Sequence, residues 1–126
     1  MSLQRRRLLA AGLATLALTA LPRLALAHHG WRWTDTGEFE LSGIITAAEL
    51  GNPHGLLTVQ AGDEVWTAEV GQPWRNEAAG LTDAMLAPGT EVILRGHRAA
   101  DAARLVMKAE RVIIAGRLYD LYPDRS

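Results

Sequence analysis

The sequence has 126 residues, with 14 acidic and 13 basic side chains and no cysteine. Four of the arginines precede residue 28 and every acid follows it, so residues 28–126 carry a formal charge of −5, which disfavours nucleic acid and anionic membrane surfaces as partners. The absence of cysteine excludes a covalently attached c-type haem, an iron–sulfur cluster and a structural thiolate zinc site.

Residues 1–27 have the three parts of an export signal. Arg5-Arg6-Arg7 is followed by an apolar run of 14 residues, Leu8–Leu21, and then by the small-x-small pattern Ala25-Leu26-Ala27. The run is shorter than the roughly 20 residues that span a bilayer as a helix, so no membrane span is expected after cleavage. Paired arginines before two leucines favour the twin-arginine route, with an arginine-rich general secretory signal as the alternative. The predicted location is periplasmic or otherwise extracytoplasmic.

The rest of the chain divides into an N-terminal arm at 28–37, a β-domain at 38–122 and a tail at 123–126. Within the domain, apolar and polar residues alternate with a period of two, which predicts half-buried strands. The first strand begins at Glu38 and contains Gly43, where we expect a bend. The predicted strands that follow are 56–60, 65–70, 90–97, 105–114 and 117–121.

The one helical candidate region comprises residues 75–79 and 82–86, the second segment with Thr82 as its N-cap and Pro88-Gly89 as its stop. Three strands, a short helix and two or three further strands predict an all-β fold with one short helix. We expect a small closed OB-like β-barrel of five to six strands, because closure removes unpaired sheet edges. A small open β-sandwich is the alternative.

The histidine pair His28-His29 directly follows the predicted cleavage site. Cleavage there would give His28 both an imidazole and a free α-amine, a combination of nitrogen donors that suits Cu(II). An exposed, solvated pair is the simpler interpretation of the same two residues.

Two further histidines could complete such a site. His54 lies in the loop after the first strand and His97 at the end of the fourth, and loops at these positions flank the usual ligand face of an OB fold. Each also has a structural interpretation. His54 could stabilise its own turn, and His97 shares the outward parity of Glu91 and Arg95, so it could be a solvated surface residue.

Met107 is a candidate soft ligand for Cu(I), although its alternation with apolar neighbours favours the core. Trp31 and Trp33 are candidates to shield a metal or to pin the arm to the barrel. Trp66 and Trp74 are expected to pack beneath the helix.

Lys108 and Glu110, on one face of the fifth strand, have the pattern of ordinary outward charges. The sequence lacks the motifs of metalloproteases, serine hydrolases and phosphate-binding loops, so no residue nominates a catalytic reaction.

Several short motifs resemble a domain-of-unknown-function family of small exported bacterial proteins. They are His28-His29, Asn52-Pro53-His54, Trp66, Gly80-Leu81 and Pro88-Gly89. The resemblance spans nearly all of residues 28–122 and implies export and a role for the histidines. The family's Gly-Gly-x-Pro-Asn segment is replaced here by Gly71-Gln72-Pro73-Trp74-Arg75-Asn76, and its Asp-Gly turn by Ala115-Gly116.

These observations lead to the hypothesis of an exported β-barrel that binds a transition metal, with copper favoured, as a carrier or accessory protein. The predicted ligands are His28, His54 and His97, with His29 as a further candidate. The alternative function is a non-metal module that binds a protein or small ligand of the cell envelope through its loops and tryptophans.

Overall fold

The computed structural model describes residues 31–125. Its strands are β1 (Phe39–Glu49), β2 (Leu56–Ala61), β3 (Glu64–Glu69), β4 (Glu91–Arg98), β5 (Val106–Ile114) and β6 (Arg117–Asp120). Between β3 and β4 lie helix α1 (Pro73–Ala78) and a 3₁₀ turn (Asp83–Leu86), and a second 3₁₀ turn (Pro123–Arg125) follows β6. The alternation in the sequence therefore predicted the strands within one or two residues.

Five of the strands close into a barrel. β1 is antiparallel to both β2 and β4, β2 pairs with β3, and β4 pairs with β5. The parallel pairing of Thr67–Glu69 with Val106–Lys108 joins β3 to β5 and completes the circle, while β6 extends the sheet from the far end of β5. The predicted closed OB-like barrel is confirmed, and the open sandwich is not what the chain forms.

Strand β1 is shared between two neighbours. Its first half, Phe39–Ile44, pairs with β4, and the second half, Ile44–Glu49, pairs with β2 across a register shift. A Cβ on Gly43 would lie 2.4 Å from the carbonyl oxygen of Gln60, so only glycine allows the two backbones to approach this closely. The irregularity in the β1 pairing lies two to four residues after Gly43, between Ile45 and Ala47, so Gly43 itself marks a close approach of two backbones.

The barrel interior is filled by the apolar residues of alternating parity. Met107 is fully buried there, which favours its interpretation as a core residue. Trp66 is also buried and its ring lies 5.0 Å from that of Phe39. Trp74 was predicted wrongly: it lies on the first turn of α1 with 56% of its surface exposed, stacked on Arg75 rather than beneath the helix.

These elements belong to one compact unit, Trp33–Ser126. The structure describes only residues 31–32, which lie in a turn, of the other unit, Met1–Arg32. Within 31–125 no helix has the length and apolar character that crossing a bilayer requires. The predicted signal at 1–27 lies outside the described residues.

Candidate metal site

Four ionisable side chains from three adjacent strands share one outer face of the barrel. Lys108 on β5 is the register partner of both Glu69 on β3 and His97 on β4, and Glu110 lies two residues further along β5. We call Glu69, His97, Lys108 and Glu110 the buried charged cluster. An outward parity predicted solvated side chains, and that expectation was wrong, since Lys108 is only 2% exposed and Glu110 only 3%.

A bulge in the β4–β5 pairing aligns two members of the cluster. Arg95 pairs with Arg111 but Gly96 pairs with Ala109, so Glu110 is the extra residue of the bulge. A Cβ on Gly96 would lie 2.0 Å from the carbonyl oxygen of Lys108. Glycine is therefore required for this close approach, which puts the side chains of His97 and Glu110 against one another.

The His97 ring is held at both nitrogens. Its Nδ1 lies 2.7 Å from the carbonyl oxygen of Gly37, which can only accept, so Nδ1 carries a proton and donates it. Its Nε2 lies 3.2 Å from Glu110 Oε2. With Nδ1 protonated, the neutral ring presents the lone pair of Nε2 to this carboxylate oxygen, so the two atoms are donors that one metal ion could share.

A third donor lies beside this pair. Glu38, exposed and next to the Gly37 carbonyl, brings a carboxylate oxygen so close that ligand atoms of Glu38, His97 and Glu110 all lie within 4.8 Å of one another. One imidazole and two carboxylates suit a divalent transition metal. A histidine that donates its other N–H to a backbone carbonyl is the usual arrangement for a metal ligand.

Two arginines also lie beside the Glu110 carboxylate. Arg125 Nε, in the turn after β6, lies 2.7 Å from Glu110 Oε2, and Arg111 lies 3.5 Å from the other carboxylate oxygen. Tyr122 lies near this group and is buried. Burial raises the pKa of its phenol, and the carboxylates of Glu69 and Glu110 raise it further, whereas the nearby cations, Arg75 first and then Arg125, lower it.

His54 lies beside the other end of the buried charged cluster, next to Glu69. It follows the turn that contains the cis peptide Asn52–Pro53, and its Nδ1 lies 3.3 Å from Glu69 Oε2. The same oxygen lies 3.0 Å from Lys108 Nζ. Burial lowers the pKa of His54 and this outweighs the opposing effect of Glu69, while the charges of Lys108 and Arg75 lower it further.

The predicted metal ligands therefore do not all lie in one site. His54 and His97 lie at the two ends of one cluster, and His54 is not in the three-residue group around His97. His28 and His29 fall outside the described residues, so their role stays a prediction. Met107 points into the barrel interior, on the opposite face of β5 from Lys108.

The two arm tryptophans have ordinary structural roles in the described region. Trp33 accepts a backbone hydrogen bond from Ala100 at 3.0 Å, and its ring lies 5.9 Å from the guanidinium of Arg104. Trp31 lies half-buried in a turn. Thr34, which follows Trp33, forms an antiparallel bridge with Ala99, so backbone pairing also joins this part of the arm to the barrel.

Sequence reasoning missed Glu38 and Glu110. The one available signal was the run of charged residues, Lys108, Glu110 and Arg111, within a strand that is apolar at both ends. Glu38 and Glu110 are 72 positions apart in the sequence, and nothing in it indicated that their side chains meet.

The fold and the site together define the class of protein: an OB-like barrel with a histidine–carboxylate group on its outer face. The chain belongs to a protein family, the Family of unknown function (DUF6152), which matches residues 15–107. A search of the curated proteins finds no match to the sequence.

Solved structures with a similar fold include two crystal structures of Stn1 with Ten1. The crystal structure of the S. pombe Stn1–Ten1 complex matches with a TM-score of 0.51 and 15% identity over 64% of this chain and 59% of that one. The crystal structure of yeast Stn1 and Ten1 matches with a TM-score of 0.50 and 13% identity over 64% of this chain and 43% of that one. The chain spans less than two thirds of either protein, and likeness at these identities shows the fold alone.

Proposed function

We propose that this is an exported protein that binds a divalent transition metal, copper(II) foremost, as a carrier or accessory protein of the cell envelope. Its metal ligands are His97, Glu110 and Glu38. The observation that carries the proposal is the pairing of a tethered His97 ring with Glu110. Nδ1 is committed to a carbonyl, and Nε2 faces a carboxylate oxygen 3.2 Å away.

The separation of these two atoms fits a shared ion. Two donors that each lie about 2.1 Å from one metal, with an angle of about 100° between them, are about 3.2 Å apart. Copper(II) is the preferred ion because nitrogen and oxygen sites bind it most tightly among the divalent metals of the first transition row.

The exposure of the ligands supports a carrier role. His97 and Glu110 are buried and supply a site of fixed geometry, whereas Glu38 is exposed and gives the ion a path to solvent. Export is supported by the arginines, apolar run and small-x-small pattern of residues 1–27, and the proposed location is the periplasm or another extracytoplasmic space.

The test is Cu(II) affinity, measured by competition with a chromophoric chelator on the full chain, expressed with its own N-terminal segment and purified without chelators. His97→Gln and Glu110→Gln should each weaken binding at least about 100-fold, because even the loss of an outer-shell partner of a metal ligand costs 10–100-fold. Glu91→Gln, an exposed strand residue, is the matched control and should not change the affinity. A wild-type chain that binds no Cu(II), or His97→Gln binding as wild type does, would overturn the proposal.

The predicted contribution of His28 is tested separately. The intact mass of the exported protein gives its N-terminus, and one alanine inserted before His28 removes the amine–imidazole chelate without touching the barrel. If His28 is a ligand, this insertion lowers Cu(II) affinity by orders of magnitude. An unchanged affinity would remove His28 from the ligand set while leaving the His97 pocket in place.

A groove on the barrel favours a second candidate function, a module that binds a protein or small ligand of the envelope. The groove has a volume of about 530 Å³ and is lined by apolar residues that include Ile44, Ile93 and Ile113, with Ile44 45% exposed. If this function is the right one, chelator-treated protein keeps its ligand and Ile44→Ser loses it. A ligand lost on chelation instead would favour the metal proposal.

A further inference from the structure

Resting on the proposed metal function, we infer that Arg125 is an internal cation that closes the metal site and is displaced when the metal binds. The empty and loaded forms then differ in the turn Pro123–Arg125, which reports whether the site is filled.

Arg125 occupies the oxygen that the proposed site would use. Its Nε lies 2.7 Å from Glu110 Oε2, the same atom that faces His97 Nε2. A guanidinium–carboxylate contact of this length is a charge-assisted hydrogen bond. Without a metal ion, Arg125 therefore compensates much of the charge of a carboxylate whose side chain is 4% exposed.

A metal and Arg125 cannot both use this oxygen fully. The two cations repel one another at such short range, so each weakens the binding of the other. Coupling between two binding events is reciprocal. If Arg125 lowers the affinity for the metal by a given factor, the metal lowers the equilibrium constant of the Arg125–Glu110 contact by the same factor.

The turn that carries Arg125 lies at the surface. None of the residues Pro123–Arg125 is buried, and the Arg125 side chain is 40% exposed, so its charge can be transferred to water. The neighbouring Tyr122 is buried, with its ring 4.2 Å from the Arg75 guanidinium, so the movement is confined to the turn. Arg111 lies 3.5 Å from Asp120 as well as from Glu110, and it is less exposed than Arg125, so we expect it to stay in place.

The experiment compares Cu(II) affinity in the full chain for wild type, Arg125→Gln and Arg125→Lys. Arg125→Gln should bind Cu(II) about tenfold more tightly, because a like charge beside the ion is removed and its half-exposed position screens the effect. Arg125→Lys keeps the charge and should remain near wild type. Arg117→Gln is the matched control, since it removes the same charge from an exposed position on β6.

Hydrogen exchange gives a second measurement that a purely structural arginine would not change. The Arg125 amide donates to the Tyr122 carbonyl at 2.9 Å, and it should exchange faster when Cu(II) is added to wild type. In Arg125→Gln the amide of residue 125 should exchange fast with or without Cu(II).

The outcomes separate this inference from the proposed function. If no variant binds Cu(II), the metal function itself fails. If wild type and Arg117→Gln bind Cu(II) and Arg125→Gln binds it equally or more weakly, the metal function stands and displacement of Arg125 is overturned. Unchanged amide exchange on loading would overturn displacement as well.

Discussion

The two histidines of the described barrel have nearly the same immediate partners. In each case a ring nitrogen faces a carboxylate oxygen, at 3.3 Å for His54 and Glu69 and at 3.2 Å for His97 and Glu110. In each case a cation also contacts that oxygen, Lys108 for Glu69 and Arg125 for Glu110. Judged by ligand type and distance alone, the two sites would therefore be equally good candidates for binding a metal.

The burial of the two cations makes them different. Lys108 is 2% exposed, whereas the Arg125 side chain is 40% exposed. A metal that took Glu69 would leave a buried ammonium without its nearest carboxylate, which costs several kcal/mol. A metal that took Glu110 would only release Arg125 into water. The exposure of the counter-ion, more than the histidine itself, decides which carboxylate a metal can use.

The largest effect that this comparison predicts is on stability. Glu69→Gln should lower the free energy of unfolding by about 3 kcal/mol, because it leaves the Lys108 ammonium buried beside a neutral amide. Glu110→Gln should cost only about 1 kcal/mol, since Arg125 can turn to solvent. Urea denaturation of both variants measures the difference.

The double variant Glu69→Gln/Lys108→Met is the control for this prediction. Removing the buried charge together with its partner should restore most of the lost stability, because an apolar side chain carries no desolvation penalty. Equal losses in Glu69→Gln and Glu110→Gln would show that the two cations do not differ as their burial indicates.

A second prediction separates the two sites through the backbone. Gly96→Ala should destabilise the fold by about 2 kcal/mol, because its Cβ would meet the Lys108 carbonyl oxygen at 2.0 Å. The resulting shift should also weaken Cu(II) binding by moving His97 away from Glu110. Chemical denaturation and chelator competition measure the two effects.

Gly51→Ala is the matched control, because a Cβ there meets nothing within 4 Å. It should stay within about 0.5 kcal/mol of wild type, as surface substitutions usually do. If Gly96→Ala keeps both stability and metal affinity, the bulge does not position the pocket.

The sequence predicted the barrel well because strand alternation is a local property. A period of two and a few glycines and prolines are enough to place six strands. Trp74 shows the limit of this reasoning. Its type predicted burial, but the helix begins at Pro73 and turns the indole outward.

The site was predicted less well because it depends on what covers a strand face. Parity correctly put His97 on the outer face, but it could not show that Tyr122 and Arg125, more than 20 residues further on, lie beside that face. Nor could it show the bulge that moves Glu110 toward His97, since a bulge is a property of the pairing between two strands.

The smallest predicted effect concerns pH at the His54 end of the cluster. Burial lowers the pKa of His54 below the value of about 6.5 expected in the unfolded chain, and Lys108 and Arg75 lower it further against the opposing Glu69. Below about pH 6.5 the unfolded chain therefore binds more protons at this position than the folded protein does. Stability that is fully present above this pH is lost as the pH falls toward the folded-state pKa.

His54→Gln removes this proton uptake, so its stability should fall less steeply than that of wild type between about pH 7 and pH 5. Urea denaturation across this range measures the two slopes. His54→Gln should also leave Cu(II) affinity unchanged, because Glu69 remains committed to Lys108. A steeper fall than wild type would contradict the sign of the pKa shift. A large loss of Cu(II) affinity would contradict the division of the cluster into one end that holds a buried lysine and another that takes a metal.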